Sequence, residues 1–261
     1  MNEGVDSVLT GNARGCIVEG DCRDVLKQLG DKSVAATIMD PQYDGEAHTA
    51  ARRQRSNGKV GLAPLPFEPM TEPLRQDVAG HAIRLSQAWV VAFCQAEGVL
   101  LWKRALGAAY YGPMVWVKPD GPPNYMGDGP GMGFESLVTA WCGTGKSKWN
   151  GGGRRGVLTH NVGVFGGEKN WHPTQKPLLL MRELITLFTN KGDVILDPFC
   201  GSGSTGVAAL QLGRRFIGIE RRSDYANVAR GRLAAELDGI SYRDVLCGQT
   251  SLYAYVRDRE V

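Results

Sequence analysis

Between Asp193 and Glu220 the chain reads DVILDPFCGSGSTGVAALQLGRRFIGIE. No other stretch limits the fold so tightly. Val194, Ile195 and Leu196 follow a Lys191-Gly192 turn signal as a short apolar run, the pattern of a strand buried on both faces. Gly201, Gly203 and Gly206 then open an alanine- and leucine-rich segment of helical composition that stops at Gly213. Phe216 to Ile219 give the next buried strand, which ends on Glu220. Glycines let the backbone come close to a ligand, and an acid at the tip of the next strand can accept bonds from two ribose hydroxyls. The unit predicts a nucleoside pocket.

Gly201-x-Gly203-x-x-Gly206, with Glu220 near the expected distance, also fits the dinucleotide fingerprint, so a nicotinamide- or flavin-dependent oxidoreductase is one reading. Asp197-Pro198-Phe199 argues against it, because a carboxylate beside the loop repels a pyrophosphate and welcomes a cationic, amine-bearing ligand. S-adenosylmethionine fits that demand, with its ammonium and positive sulfonium. A tight strand-to-helix turn would explain any one of these glycines. It does not explain three glycines and two acids at strand ends together.

At 261 residues, 43% hydrophobic and 22% charged, the chain suits one large α/β domain. Its start, MNEGVDSVLTGNARG, has no apolar signal core and no later run is long enough to cross a membrane, so a cytoplasmic protein without a membrane partner is expected. Six cysteines without a C-x-x-C pair and four histidines without H-x-x-x-H spacing predict buried free thiols and no metal site. Residues 52–59 and 143–170 each carry a net +4, while the whole chain carries +3, so the remaining body is acidic. Two basic loops on an acidic body suit a polyanion, although either run alone suits a solvated surface.

Arg14 to Glu19 reads as a strand, Asp21 as the cap of a short helix, and Ser33 to Met39 as a second buried strand ending in Asp40-Pro41-Gln42-Tyr43. An acid, a rigid proline and an aromatic at the carboxyl end of a buried strand lie where open α/β sheets bind ligands. Asp40-Pro41-Gln42-Tyr43 resembles the D-P-P-Y motif of DNA amino methyltransferases, and Asp197 to Thr205 resembles their S-adenosylmethionine loop. His172-Pro173-Thr174-Gln175-Lys176-Pro177 is similar to the segment that precedes that loop, and the motif order is that of the family's beta group.

This resemblance spans nearly the whole chain. It implies a Rossmann-like S-adenosylmethionine-dependent methyltransferase fold, a twisted, mainly parallel sheet of seven strands with helices on both faces. It implies that Asp197, Phe199, Gly201, Ser202, Gly203 and Thr205, with Pro198 beside them, line the methionine and ribose. Glu220, next to Arg221, would hold the ribose hydroxyls. Asp21 and the backbone at Cys22 would read the adenine, and Thr174, Gln175 and Lys176 would close over the methionine end. Asp40, Pro41, Gln42 and Tyr43 would handle the target base.

Those residue types suit the chemistry. An exocyclic amine is a poor nucleophile because its lone pair is delocalised into the ring. Acceptance by the Asp40 carboxylate and the Pro41 carbonyl frees that lone pair, so positioning and electrostatics do most of the work. No covalent enzyme intermediate is needed, which argues against a cysteine nucleophile. The base must be flipped out of the duplex, and Tyr43 suits stacking upon it. Gln42 replaces the motif's second proline, relaxing the backbone restriction on Pro41 and adding an amide near the reacting base. By resemblance, aspartate at position 40 favours N6 of adenine; N4 of cytosine is the rival within the class. A DNA-binding relative that has lost turnover through Gln42 is a third reading.

Leu74 to Ala88 reads as a helix, Trp89 to Cys94 as a strand, Leu100 to Ala109 as a helix, and Tyr111 to Val117 and Phe134 to Trp141 as strands. Trp116 to Pro119 and Glu135 resemble a family segment near the target base, with Trp116 itself expected in the core. The stretch of about 143–170 is assigned to target recognition through Lys146, Lys148, Arg154 and Arg155, with Trp149 and Trp171 as aromatic wedges. The basic stretch of about 44–60, with Arg52, Arg53 and Arg55, is read as a mobile helper loop. Double-stranded DNA is the expected partner; a homodimer and a paired restriction endonuclease in a bacterial or phage system are further partners the resemblance allows. Leu178 to Phe188 and Ser223 to Leu237 read as helices, and Ile240 to Val261 receives no assignment.

Overall fold

A computed structural model describes residues 2–45, 68–121, 123–124, 127–162, 175–242 and 245. A first helix, α1 (Glu3–Thr10), leads into β1 (Gly15–Glu19), α2 (Cys22–Gln28) and β2 (Val34–Met39). The middle of the chain forms α3 (Glu72–Leu85), β3 (Ser86–Cys94), α4 (Gly98–Leu106), β4 (Tyr110–Val117), β5 (Phe134–Trp141) and β6 (Val157–Thr159). The last part forms α5 (Leu178–Phe188), β7 (Val194–Asp197), α6 (Ser204–Gln211), β8 (Arg215–Glu220) and α7 (Ser223–Leu237). The strands make one sheet in the order β1-β8-β7-β2-β3-β5-β4-β6. Every pairing is parallel except those of β5 with β3 and β4.

Period-two alternation sorts the strand side chains onto two faces. Trp89, Val91 and Phe93 of β3 join one core with Ile38, Leu184 of α5, Val207 of α6 and Leu233 of α7. Val90 and Ala92 join the opposite core with Val8 of α1, Leu26 of α2, Val78 of α3 and Trp102 of α4. Helices thus cover both faces, as the strands' continuous apolar runs require. No helix among the described residues is long and apolar enough to cross a membrane.

Two expectations are corrected, and one stretch without an assignment folds into a helix. Among the described residues the sheet has eight strands rather than the expected seven. The extra one, β6, lies parallel beside β4 within the basic, glycine-rich stretch; only Leu158 of its three residues is buried, too short a signal for periodicity to reveal. The helix expected to reach Ala88 stops at Leu85, and β3 starts at Ser86. Ser86 and Gln87 look like a polar helix end, yet the Ser86 hydroxyl meets Thr37 at 2.8 Å and Gln87 donates to the Lys32 carbonyl, which satisfies them at the sheet. The unassigned α1 is held by an Asn2 cap and Gly11 at φ +88°, and buries Val5 and Val8.

β5 runs opposite to β3 and β4, and this direction matters for the site. Its first residues, Phe134 and Glu135, return to the edge where the parallel strands end, opposite Val117 and Trp116 of β4. One edge of the sheet therefore gathers Gly20, Asp40, Lys118, Glu135, Asp197 and Glu220.

Candidate active site

A cavity of about 710 Å³ opens at this edge, across the ends of β1, β8, β7 and β2. It is large enough for a nucleoside-sized ligand. Asp21, Cys22, Asp40, Pro41, Gln42 and Tyr43 line it. So do Gln175, Lys176, Asp197, Pro198, Phe199 and Gly201, together with Ser202, Thr205, Glu220 and Arg221. Residues predicted from positions scattered along the sequence thus converge on a single cavity. Thr174, Arg52, Arg53, Arg55 and Trp171 lie outside the described residues.

On one side the glycine loop is held by its own acids. The Gly201 amide donates to Glu220 Oε2 and the Arg222 amide to Oε1, both at 2.9 Å. Gly201 sits at φ +52° and Gly203 at φ +83°, where glycine is favoured. Gly203 does not line the cavity: a Cβ there would lie 3.1 Å from that of Ala229, so it serves the contact of the loop with α7. A Cβ on Gly206 would meet the Phe216 ring at 2.6 Å, which makes this glycine the reason α6 lies so close to β8. The predicted glycine pattern therefore divides its labour between ligand loop and packing.

Asp197 is 2% exposed; it accepts from the Thr205 hydroxyl at 2.6 Å and the Phe199 amide at 3.0 Å, with no ion-pair partner among the described residues. Burial pushes its carboxyl up to about 7, against the pull of those two donors. Burial also raises Glu220. A buried acid beside a glycine loop, with a second acid at the next strand end, suits a nucleoside carrying an ammonium and disfavours a pyrophosphate. The donor set therefore fits S-adenosylmethionine. Asp21 caps α2 as expected, accepting from the Arg23 amide at 2.9 Å, and the Arg23 guanidinium that pairs with it at 2.6 Å holds its carboxyl down to about 2.

On the other side lies a compact charged cluster. Lys176, 8% exposed, places Nζ 2.7 Å from Asp40 Oδ2 and 3.3 Å from Glu135 Oε2. Lys118 also binds Glu135, and the Tyr43 hydroxyl donates to it at 2.7 Å. Burial works against the Glu135 charge, but the two lysines and the tyrosine outweigh it and hold the carboxyl down to about 2. Burial raises Asp40, with Lys176 opposing. Burial pulls Lys176 down, yet its two carboxylates leave it raised. Tyr43 is thus fixed by its hydroxyl with its ring at the cavity wall, and Pro41 is buried beside Asp40.

Lys118 and Glu135 were expected, by resemblance alone, only near the target base with no part in the chemistry, and Lys176 was expected at the methionine end. The missing signal was the antiparallel direction of β5, which returns Glu135 to the active edge. Trp116 is in the core as expected, 1% exposed and donating to the His160 carbonyl at 2.8 Å. Burial pushes the thiols of Cys16, Cys22 and Cys94 up to about 12, so these are poor nucleophiles, and Cys200 is buried and raised as well.

The basic stretch is only partly free. Arg154 pairs with Glu183 of α5, which also receives the His160 ring, whereas Lys146, Lys148 and Arg155 are exposed. Trp149 does not project as a wedge. It lies tilted on Phe188 with ring centres 5.9 Å apart, and its neighbour Asn150 donates to the Thr186 and Thr189 carbonyls at the end of α5. An apolar indole finds a better partner in that ring than in water.

This sheet, with an acidic glycine-loop pocket at its carboxyl edge, defines a Rossmann-like methyltransferase fold. Residues 137–231 match the DNA methylase family N6_N4_Mtase, and this part of the chain is similar to those DNA methylases. It is 53% identical over 81 residues to the type II methyltransferase M2.DpnII of Streptococcus pneumoniae, covering 31% of this chain and 29% of that protein. To M.HindIII of Haemophilus influenzae it is 34% identical over 146 residues, 54% of this chain and 46% of that one. The matched stretches therefore span less than half of these curated relatives. Among solved structures, M1.HpyAVI in complex with SAM superposes with a TM-score of 0.63 at 27% identity, over 84% of this chain and 98% of that one. The cytosine-N4-specific PvuII DNA methyltransferase superposes with a TM-score of 0.64 at 15% identity, over 90% and 91%, a likeness of fold alone.

Proposed function

We propose that this protein is an S-adenosylmethionine-dependent DNA methyltransferase that modifies an exocyclic amine, N6 of adenine, in duplex DNA. The observation that carries this reading is the position of Asp40: a half-buried carboxylate at the end of β2, in the same cavity as Asp197, the glycine loop and Glu220. Acceptor for an amine and pocket for a cationic nucleoside thus share one space.

When bound, S-adenosylmethionine supplies a methyl group already activated on a sulfonium. Glu220 would hold the ribose and Asp197 the ammonium. Lys176 occupies Oδ2 of Asp40, and Oδ1 carries no hydrogen bond among the described residues, so it can accept from the incoming amine. Tyr43, braced by Glu135, supplies a ring for the flipped base. Exposed Lys146, Lys148 and Arg155 neutralise phosphates, and the protein works in the cytoplasm of a bacterial or phage-infected cell. Aspartate rather than serine at position 40 supports adenine as the target.

Calorimetric titration with S-adenosylmethionine and, separately, with NAD, followed by transfer of labelled methyl into duplex DNA, tests the reading. Binding of the first alone, with label recovered in DNA, supports it; binding of NAD alone defeats it.

A further inference from the structure

Among the described residues, Lys176 is the one cation that touches both carboxylates of the target side. Its ammonium is buried over the Phe93 ring, 4.9 Å from the centroid, in a place where an unpaired charge would be costly. Glu135 is supported three times, by Lys118, Lys176 and the Tyr43 hydroxyl. Asp40 has Lys176 as its sole hydrogen-bonding partner among the described residues. The neighbour of Lys176, Gln175, accepts from the Ser202 hydroxyl of the glycine loop at 3.1 Å, and the Ser202 carbonyl in turn accepts from the buried Arg232 at 2.7 Å. Two consecutive residues therefore join the loop of one pocket to the carboxylate of the other.

We propose that Lys176 is a positioning residue of the target pocket, which keeps the Asp40 carboxylate ionised and able to accept from the target amine, and that through Gln175 it ties this carboxylate to the glycine loop. The proposal rests on the methyltransferase reading and places Lys176 on the target side instead of over the methionine end. The groups that face Asp40 are Lys176 before α5, Glu135 of β5, Lys118 after β4, Tyr43 of its own segment and Asp197 at the end of β7. Without Lys176, two half-buried carboxylates lie together with one cation between them, and Lys118 belongs to Glu135. Like charges in one pocket cannot both stay ionised, so the less supported acid, Asp40, takes the proton. A protonated acid offers a donor where the amine needs an acceptor.

The test is a carbon-13 NMR titration of carboxyl-labelled aspartate in the full chain, with Asp40 assigned through D40N, in wild type, K176M and K176R. The expected result is an upward move of the Asp40 midpoint by about one pH unit or more in K176M, a tenfold smaller ionised fraction below it, and restoration in K176R. In parallel, the acid limb of kcat/KM for DNA methylation moves up with it, and activity recovers at alkaline pH. An unmoved midpoint in K176M, or a loss of activity equal at every pH, overturns the proposal. K176Q is read in the same way should K176M fail to fold. A wild type that methylates no DNA would strike the methyltransferase reading instead, while the carboxyl titration still decides the role of Lys176.

Discussion

Glu220 has two jobs that one substitution can separate. Its two carboxylate oxygens each take a backbone N–H, Gly201 on Oε2 and Arg222 on Oε1, both at 2.9 Å. Glu220→Gln keeps the size of the side chain but has a single acceptor oxygen, so one of the two amides is left facing an NH2 group. An orphaned, partly buried donor costs about 1–3 kcal/mol. In a chain of this size about 2 kcal/mol lowers Tm by roughly 4–8 °C. Because Gly201 sits in the ligand loop, the same change also weakens S-adenosylmethionine, by about tenfold for each 1.4 kcal/mol lost between loop and ribose. Thermal unfolding with and without ligand, together with calorimetry, measures both effects. A Glu220→Gln protein with wild-type Tm and Kd would refute the reasoning, since neither oxygen would then be needed.

Asp40→Ala is expected to lower methyl transfer by at least about 10²–10³-fold while cofactor Kd stays within about twofold; loss of cofactor binding would remove Asp40 from the target side. Asp197, pushed up to about 7 in the free protein, is near half protonated at neutral pH. An ammonium favours its ionised form, so binding near pH 7 releases a proton, and affinity falls by up to about tenfold per unit as pH drops below 7; calorimetry in buffers of different ionisation enthalpy detects this, and identical heats in all buffers would contradict it. Gly206→Ala drives a methyl to 2.6 Å from the Phe216 ring and 2.9 Å from Leu233, with an expected loss of about 1–3 kcal/mol in denaturant unfolding; an unchanged midpoint would mean that α6 yields easily. Arg155→Ala lowers the salt slope of DNA binding by roughly one, whereas Arg154→Ala, whose cation is engaged by Glu183, lowers stability more than the slope; the reverse order would move DNA contact to Arg154.

The glycine unit and the strands that flank it were legible because periodicity, turn residues and strand-end acids agree over one continuous stretch. Phe134 to Trp141, Leu178 to Phe188 and Ser223 to Leu237 carry the bounds read from the sequence. Failures came where signals were short or non-local. β6 buries only Leu158, and Ser86 and Gln87 hide a strand start behind polar side chains whose partners come from elsewhere in the chain. The charged cluster joins Asp40, Glu135 and Lys176, residues about 40 to 136 positions apart, and no spacing rule reaches across β5's reversal. Gly203 and Gly206 looked like ligand glycines because close approach to a helix or an aromatic ring demands the same missing Cβ as close approach to a cofactor.

The central claim is that one cavity brings a cationic methyl donor to an amine held by Asp40. It is tested most directly by incubating the full chain and its Asp40→Ala variant with methyl-labelled S-adenosylmethionine and mixed-sequence duplex DNA, then digesting the DNA and weighing the nucleosides. Label in N6-methyladenosine with the wild type and none with the variant is the predicted result; label in N4-methylcytosine would keep the chemistry and change the base. Unlabelled DNA from a wild type that binds the donor, or equal labelling by the variant, would contradict it.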